Sequence, residues 1–151
     1  MRNLPRSSVR RALLRAVALA CAPLSLRARA QVQELPEIPA LRGFLAGRSL
    51  RWEGVTIETP RLADNGNSVS VKLAASLREP VTTLHLFSER NPVPVIAVFH
   101  FAPDAPRIQL ETRVRLGGSQ RMVVVASTAS GAVYGAMAEV IVTIAACIEG
   151  T

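Results

Sequence analysis

From about residue 51 onward the apolar residues of this chain recur at every second position, a pattern that strands with one buried face satisfy and long amphipathic helices do not. Val69, Val71 and Leu73 alternate with Ser68, Ser70 and Lys72, and Ile108, Leu110, Thr112, Val114 and Leu116 alternate with Gln109, Glu111, Arg113 and Arg115. The same reasoning predicts strands over residues 52–58, 81–88, 94–101, 121–127 and 133–145. Between them lie turn-forming runs: Asp64-Asn65-Gly66-Asn67, Asn91-Pro92, Pro103-Asp104, Gly117-Gly118 and Ser130-Gly131.

About seven short strands with regular turns predict an all-β chain, an immunoglobulin-like β-sandwich over residues 51–144. Residues 31–50 precede it, and within them residues 35–45 suit one short helix, with Leu41, Phe44 and Leu45 on one side and Pro39 and Gly47 as bounds. The run from Pro94 to Phe101 is apolar on both alternating faces except at His100. That predicts a central strand, covered on one side by the opposite sheet and on the other by something else, a partner chain being a candidate.

The formal charge of +7 would suggest nucleic acid or an anionic membrane as partner, but its placement argues otherwise. Seven arginines and no acid fall in the first thirty residues, leaving a body with eleven bases and eleven acids. A neutral body with Lys72 as its only lysine offers no basic stripe for phosphate, so nucleic acid is excluded as a partner class. Residues 1–30 read instead as a cleaved export signal: a basic start, an apolar run from Ala16 to Leu26, and a small-x-small site at Ala28-Arg29-Ala30. Within it Ser8-Val9-Arg10-Arg11-Ala12-Leu13-Leu14 is similar to a twin-arginine signal, with Leu13 where that pattern has Phe. The apolar run is too short to span a bilayer. Lipid attachment at Cys21 is an alternative, against which Ala18-Leu19-Ala20 lacks the leucine usual three residues upstream. The expected location is the periplasm.

Removal of the signal takes Cys21 with it and leaves Cys147 alone in a compartment where thiols are normally paired. A buried, inert thiol is the ordinary explanation for a free cysteine. Its place near the carboxyl end favours exposure instead. Residues 145–151 form a C-terminal arm, with Cys147 flanked by Ala145, Ala146, Ile148 and Glu149. At no more than about 3.3–3.6 Å per residue, a cysteine three residues beyond Ile144 can project roughly 10 Å. No cation in the neighbouring sequence activates the thiol, and Glu149 would disfavour the thiolate. His85 and His100 fall inside expected strands and read as core-edge or interface residues. Catalytic residues, a metal site and a cofactor are therefore not expected. A modestly nucleophilic thiol near a chain end suits a carrier that holds a substrate while other enzymes act on it.

The segments Thr59-Pro60-Arg61-Leu62-Ala63-Asp64-Asn65-Gly66, Asn91-Pro92-Val93-Pro94 and Glu111-Thr112-Arg113-Val114-Arg115-Leu116, together with the last strand and its cysteine, resemble the SoxY family over residues 37–151. The resemblance implies an immunoglobulin-like sandwich paired with a SoxZ-like chain as heterodimer. It also implies export in folded form, and a C-terminal cysteine that carries thiosulfate-derived sulfur between periplasmic Sox oxidoreductases. The arm departs from the family's Gly-Gly-Cys-Gly-Gly and resembles a SoxY-related subgroup with an Ala-Ala-Cys-Ile-Glu arm. Alanine and β-branched isoleucine make it stiffer and bulkier than glycine would. The carrier role carries over, while thiosulfate as the cargo does not follow. The competing expectation is a non-enzymatic accessory module of another periplasmic, quinoprotein dehydrogenase-linked oxidation system. A thiol-based redox enzyme is a third class, disfavoured because no resolving cysteine remains after export.

Overall fold

The computed structural model describes residues 34–102 and 107–144. The expected export signal with Cys21, the expected Pro103-Asp104 turn, and the expected arm with Cys147 lie outside the described residues. The chain divides into residues 1–34 and residues 35–151, and the second unit holds the sheets.

Among the described residues one helix, α1 (Pro39–Leu45), is followed by nine strands: β1 (Leu50–Arg51), β2 (Val55–Glu58), β3 (Leu62–Asn65), β4 (Val69–Ala75), β5 (Val81–Ser88), β6 (Val95–His100), β7 (Ile108–Val114), β8 (Gln120–Thr128) and β9 (Val133–Ile144). The seven strands expected from alternation are all present, close to their expected bounds. The two additions, β1 and β3, are short and both run parallel to β9, at opposite ends of it. One sheet has the order β1-β9-β8-β5-β6, with β3 also on β9, and the other has the order β2-β4-β7. The protein is a β-sandwich.

Alternation becomes packing directly. Val69, Val71, Leu73 and Ala75 of β4 turn inward against Leu84 and Leu86 of β5 and Met122, Val124 and Ala126 of β8, all buried in one cluster. At about 1.5–3 kcal/mol per fully buried large aliphatic side chain, this layer is the main stabilising contact between the sheets.

The large sheet is covered on its other face as well. There Phe87, Val123, Val125 and Val133 pack with Ile38, Leu41 and Leu45 of the α1 segment. Pro39 opens the helix, where its missing N–H costs nothing. Ala46 closes it in the left-handed conformation, φ 47°, with its N–H donating to Arg42 O, and Gly47 continues at φ 83°. A seven-residue helix is marginal by itself. Arg48 secures its end by donating to Phe44 O (2.5 Å) and Leu45 O (3.1 Å), and to Gly131 O in the β8–β9 turn (3.3 Å). Close approach on this face needs Gly135, where a Cβ would lie 3.0 Å from Leu50 Cδ1 and from Val124 O.

The doubly covered central strand is thus β8, whose Met122–Ala126 run is buried throughout. The expectation that Pro94 to Phe101 forms that central strand is corrected: β6 ends the sheet order, paired with β5 alone among the described strands. Its side chains are half-buried, except that Val98 and His100 are exposed. The run is apolar because Val95 meets the helix layer while Ile96 and Phe99 meet the core, so both faces are partly covered without the strand being interior.

Candidate functional site

β9, which ends at Ile144, is the longest strand among the described residues, and its end is held by a different set of contacts from its middle. Pairing of β9 with β8 stops at Gln120↔Val140, and Ile141–Ile144 continue beside β3 through Leu62↔Ile141, Ala63↔Val142 and Asn65↔Ile144. Ile141 N–H donates to Arg61 O (2.9 Å), and Thr143 Oγ1 donates to Asp64 O (2.7 Å). On the other side Ser119 Oγ replaces a strand partner, accepting from Val142 N–H (2.9 Å) and donating to Val142 O (3.3 Å). Backbone groups that β8 no longer reaches are thereby satisfied.

Three loops close around this strand end. Asn65 Oδ1 accepts from Asn67 N–H (2.8 Å), the local turn its side chain favours, and Gly66 O accepts from Leu116 N–H (2.8 Å). Asn91 joins the second loop to the third. Its amide donates to Arg115 O (2.8 Å), and its Oδ1 accepts from Gly117 N–H and from Gln120 Nε2, both at 2.9 Å. Buried Gln120 also accepts from Arg90 N–H (2.8 Å) and donates to Gly118 O (3.2 Å). Arg121 donates to both carboxylate oxygens of Glu89, from Nη2 at 2.7 Å and from Nε at 3.1 Å. That hydrogen bonding holds the Glu89 carboxyl below its ordinary pKa, against a smaller opposing effect of burial.

The surface here mixes apolar and cationic groups. Leu62 and Ile141, neighbours across the β3–β9 pair, are 57% and 46% exposed. Arg61, Arg90, Arg113 and Arg115 are exposed on the same loops and strand ends.

The Thr59–Gly66, Asn91–Pro94 and Glu111–Leu116 segments, far apart in sequence, therefore meet at the Ile144 end of β9. The arm residues Ala145, Ala146, Cys147, Ile148 and Glu149 lie outside the described residues, and Ile144 is the last point of the chain described. The two histidines are elsewhere. His85 is level with Val125 and Gly135 across the sheet, and nine residues of β9 separate Gly135 from Ile144, about 30 Å of strand. A cysteine three residues past Ile144 cannot close that gap. His100 sits opposite Thr83, farther still from the Ser88 end of β5. The His85 ring lies 4.2 Å from the Phe44 ring and stacks on Phe87 at 6.0 Å, and its Nδ1 has no hydrogen-bond partner. Burial lowers its pKa, and His100 and Arg48 add to the effect.

Among the described residues no group of three His, Cys, Asp or Glu could hold a metal ion, and no helix is long and apolar enough to cross a membrane. Sequence reasoning missed the structural parts of Ser119 and Gln120, which anchor β9 and Asn91. Their signal was a polar pair opening an apolar strand directly after Gly117-Gly118.

A sequence model of the family described as sulfur oxidation protein SoxY matches residues 42–147. Among solved structures, the sulfur carrier protein SoxY from Chlorobium limicola f thiosulfatophilum is similar at 30% identity and a TM-score of 0.57, over 70% of this chain and 94% of that one. A superoxide reductase (neelaredoxin) from Ignicoccus hospitalis is similar at 14% identity and a TM-score of 0.50, over 58% of this chain and 78% of that one, a likeness of fold alone. A search of curated proteins finds no match.

Proposed function

The chain belongs to the SoxY family, and from that premise we propose that it is a periplasmic carrier. It holds a sulfur compound covalently on Cys147 and presents it to oxidising enzymes, in complex with a SoxZ-like chain and without catalytic residues of its own. One observation carries the reading: three separated family-like segments converge on the strand that runs into Cys147, and the family match extends to that residue. A hydrogen-bonded strand end followed by a thiol whose reach is at most about 10 Å is what a carrier needs in order to enter another protein's cleft.

Joining Cys147 Sγ to the sulfur of a reduced donor forms one S–S bond and releases two electrons and the thiol proton of Cys147, with a second proton where the donor sulfur is itself a thiol and none where it is already an anion, as in thiosulfate. A partner oxidoreductase takes the electrons, because no redox centre of this chain is invoked. The donor is a reduced sulfur compound, thiosulfate being the family's example. Ala145, Ala146, Ile148 and Glu149 narrow the set of channels that can admit the arm, since they replace glycines with bulk and charge. The same departure motivates the second reading, an accessory module of a quinoprotein dehydrogenase-linked system in which the cysteine is incidental.

Intact-mass measurement of chain purified from the periplasm, before and after reduction, tests the proposal. The expected result is an adduct mapped to Cys147, released by reductant and lost in Cys147→Ala together with sulfur-compound oxidation. A thiol that stays unmodified during oxidation, or full activity in Cys147→Ser, selects the accessory reading.

A further inference from the structure

The joint between α1 and the large sheet is apolar except along one seam. His85 of β5 lies against the helix, its ring 4.2 Å from the Phe44 ring and stacked on Phe87 at 6.0 Å. Across the β5–β8 pair His85 is level with Val125 and Thr83 with Ser127, which makes Ser127 the diagonal neighbour of His85 on the same face. Both side chains keep a buried polar atom, His85 Nδ1 and Ser127 Oγ, that no protein group bonds. Such an atom has given up its hydration without a hydrogen bond in exchange, so the seam weakens a joint that Ile38, Leu41 and Leu45 otherwise strengthen.

A charge on His85 would weaken that joint further. On the helix side stand Phe44 and Arg48, whose guanidinium is 5.0 Å from the Phe44 ring and tied to Phe44 O and Leu45 O. Arg42 is paired with Glu37, and both are exposed. On β6, His100 shares the face, opposite Thr83. The neighbours from β8 and β9, Val125, Ser127, Val133 and Met137, carry no charge. Burial first, then His100 and Arg48, all keep the ring neutral, and no carboxylate is among the groups that act on it.

The helix is held by little besides this face. It has seven residues and no side-chain cap at its N-terminus. We infer that α1 is an acid-operated latch: protonation of His85 favours a form in which residues 38–48 lift from the large sheet and bare Phe87, Val123, Val125 and Val133, while the two sheets stay packed. Lifting gives the imidazolium and Ser127 Oγ water as a partner and separates His85 from Arg48. The latch uses no residue beyond Ile144, so it stands or falls apart from the carrier reading.

Amide hydrogen exchange of the intact chain tests it. The reporters are the Arg42, Ala46 and Arg48 N–H groups, which donate to the Ile38, Arg42 and Leu45 carbonyls, with the β4 amides as the measure of global unfolding. Rates are divided by those of unstructured peptide at the same pH. At pH 5.5, one unit below the ordinary histidine value of 6.5, the open form is expected to gain roughly five- to tenfold over pH 7.5. At both pH values α1 should open more readily than β4. His85→Phe and His85→Gln should each reduce the gain to less than about 1.5-fold, and Ser127→Ala should leave it in place. The latch is overturned by no gain at pH 5.5, by a gain kept in either folded His85 variant, by its loss in Ser127→Ala, or by α1 protection equal to that of β4.

Discussion

Replacing Asn91 by alanine should loosen the loops that close around the Ile144 end of β9. The side chain makes three hydrogen bonds that tie the β5–β6 loop to the segment between β7 and β8: to Arg115 O, from Gly117 N–H and from Gln120 Nε2. Each such bond nets about 1 kcal/mol, and a buried partner left unsatisfied costs more. Water can reach Arg115 O, whereas Gln120 is 4% exposed. Gln120 keeps its bonds to Arg90 and Gly118, so the loss falls at about 2–3 kcal/mol. That is a large share of the 5–15 kcal/mol typical of a domain, and it lowers Tm by roughly 8–12 °C in a sandwich of this size. Urea unfolding followed by Trp52 fluorescence gives the number directly. Asn91→Asp keeps both accepted bonds and loses the one donated to Arg115 O, so it should cost less than Asn91→Ala at neutral pH. A loss below about 0.5 kcal/mol in Asn91→Ala, or an aspartate variant weaker than the alanine one, would refute the clamp.

Gly135→Ala should cost about 1–3 kcal/mol, because its Cβ meets Leu50 Cδ1 and the Val124 carbonyl at 3.0 Å and the carbonyl cannot move alone; chemical denaturation at constant m-value checks it. Leu41→Ala, emptying a fully buried site beneath α1, should cost about 2–5 kcal/mol and speed amide exchange in the helix first. His85 has a pKa below its ordinary 6.5 in the folded chain, so the unfolded chain binds the proton first. Stability is then complete above pH 6.5 and declines as pH falls toward the folded value. His85→Leu should flatten that decline in denaturation curves taken between pH 7 and pH 5, and an unchanged decline would assign it to other groups.

The sandwich was legible because alternation is a local signal: a strand such as β4 shows its buried face within a few residues, as Val69, Val71 and Leu73 do, and turn-forming runs mark off the strands that do not alternate. Strand order was not legible. Val95–His100 and Met122–Ala126 are both apolar runs, and only tertiary contacts decide which lies inside. The helix layer buries the outer face of β8 and leaves β6 at the edge. β1 and β3 escaped notice because two to four residues are too few to set a period, and their pairing is to a strand far along the chain. For the site, the family-like segments were visible as strings, but their meeting point depends on side-chain bonds from Asn91, Ser119 and Gln120 that no spacing rule encodes.

Those bonds bear on why a carrier would use an overlong last strand. Had β9 stopped level with Gln120, the chain would leave the sheet beside the mixed loops at that end, and the direction of anything beyond would be set by the loops. Instead four further residues are held between β3 on one side and the Ser119 hydroxyl on the other. This defines the heading of the chain to Ile144 at little conformational cost, since the backbone there is already extended and hydrogen-bonded. Preorganised reach lowers the ordering entropy that a flexible tether loses on entering a partner. A deletion of Ile141 to Thr143 that retains Cys147 should therefore reduce delivery to a partner enzyme while leaving the alkylation of the free thiol in solution nearly unchanged. Equal loss in both measurements would mean that the strand serves folding alone.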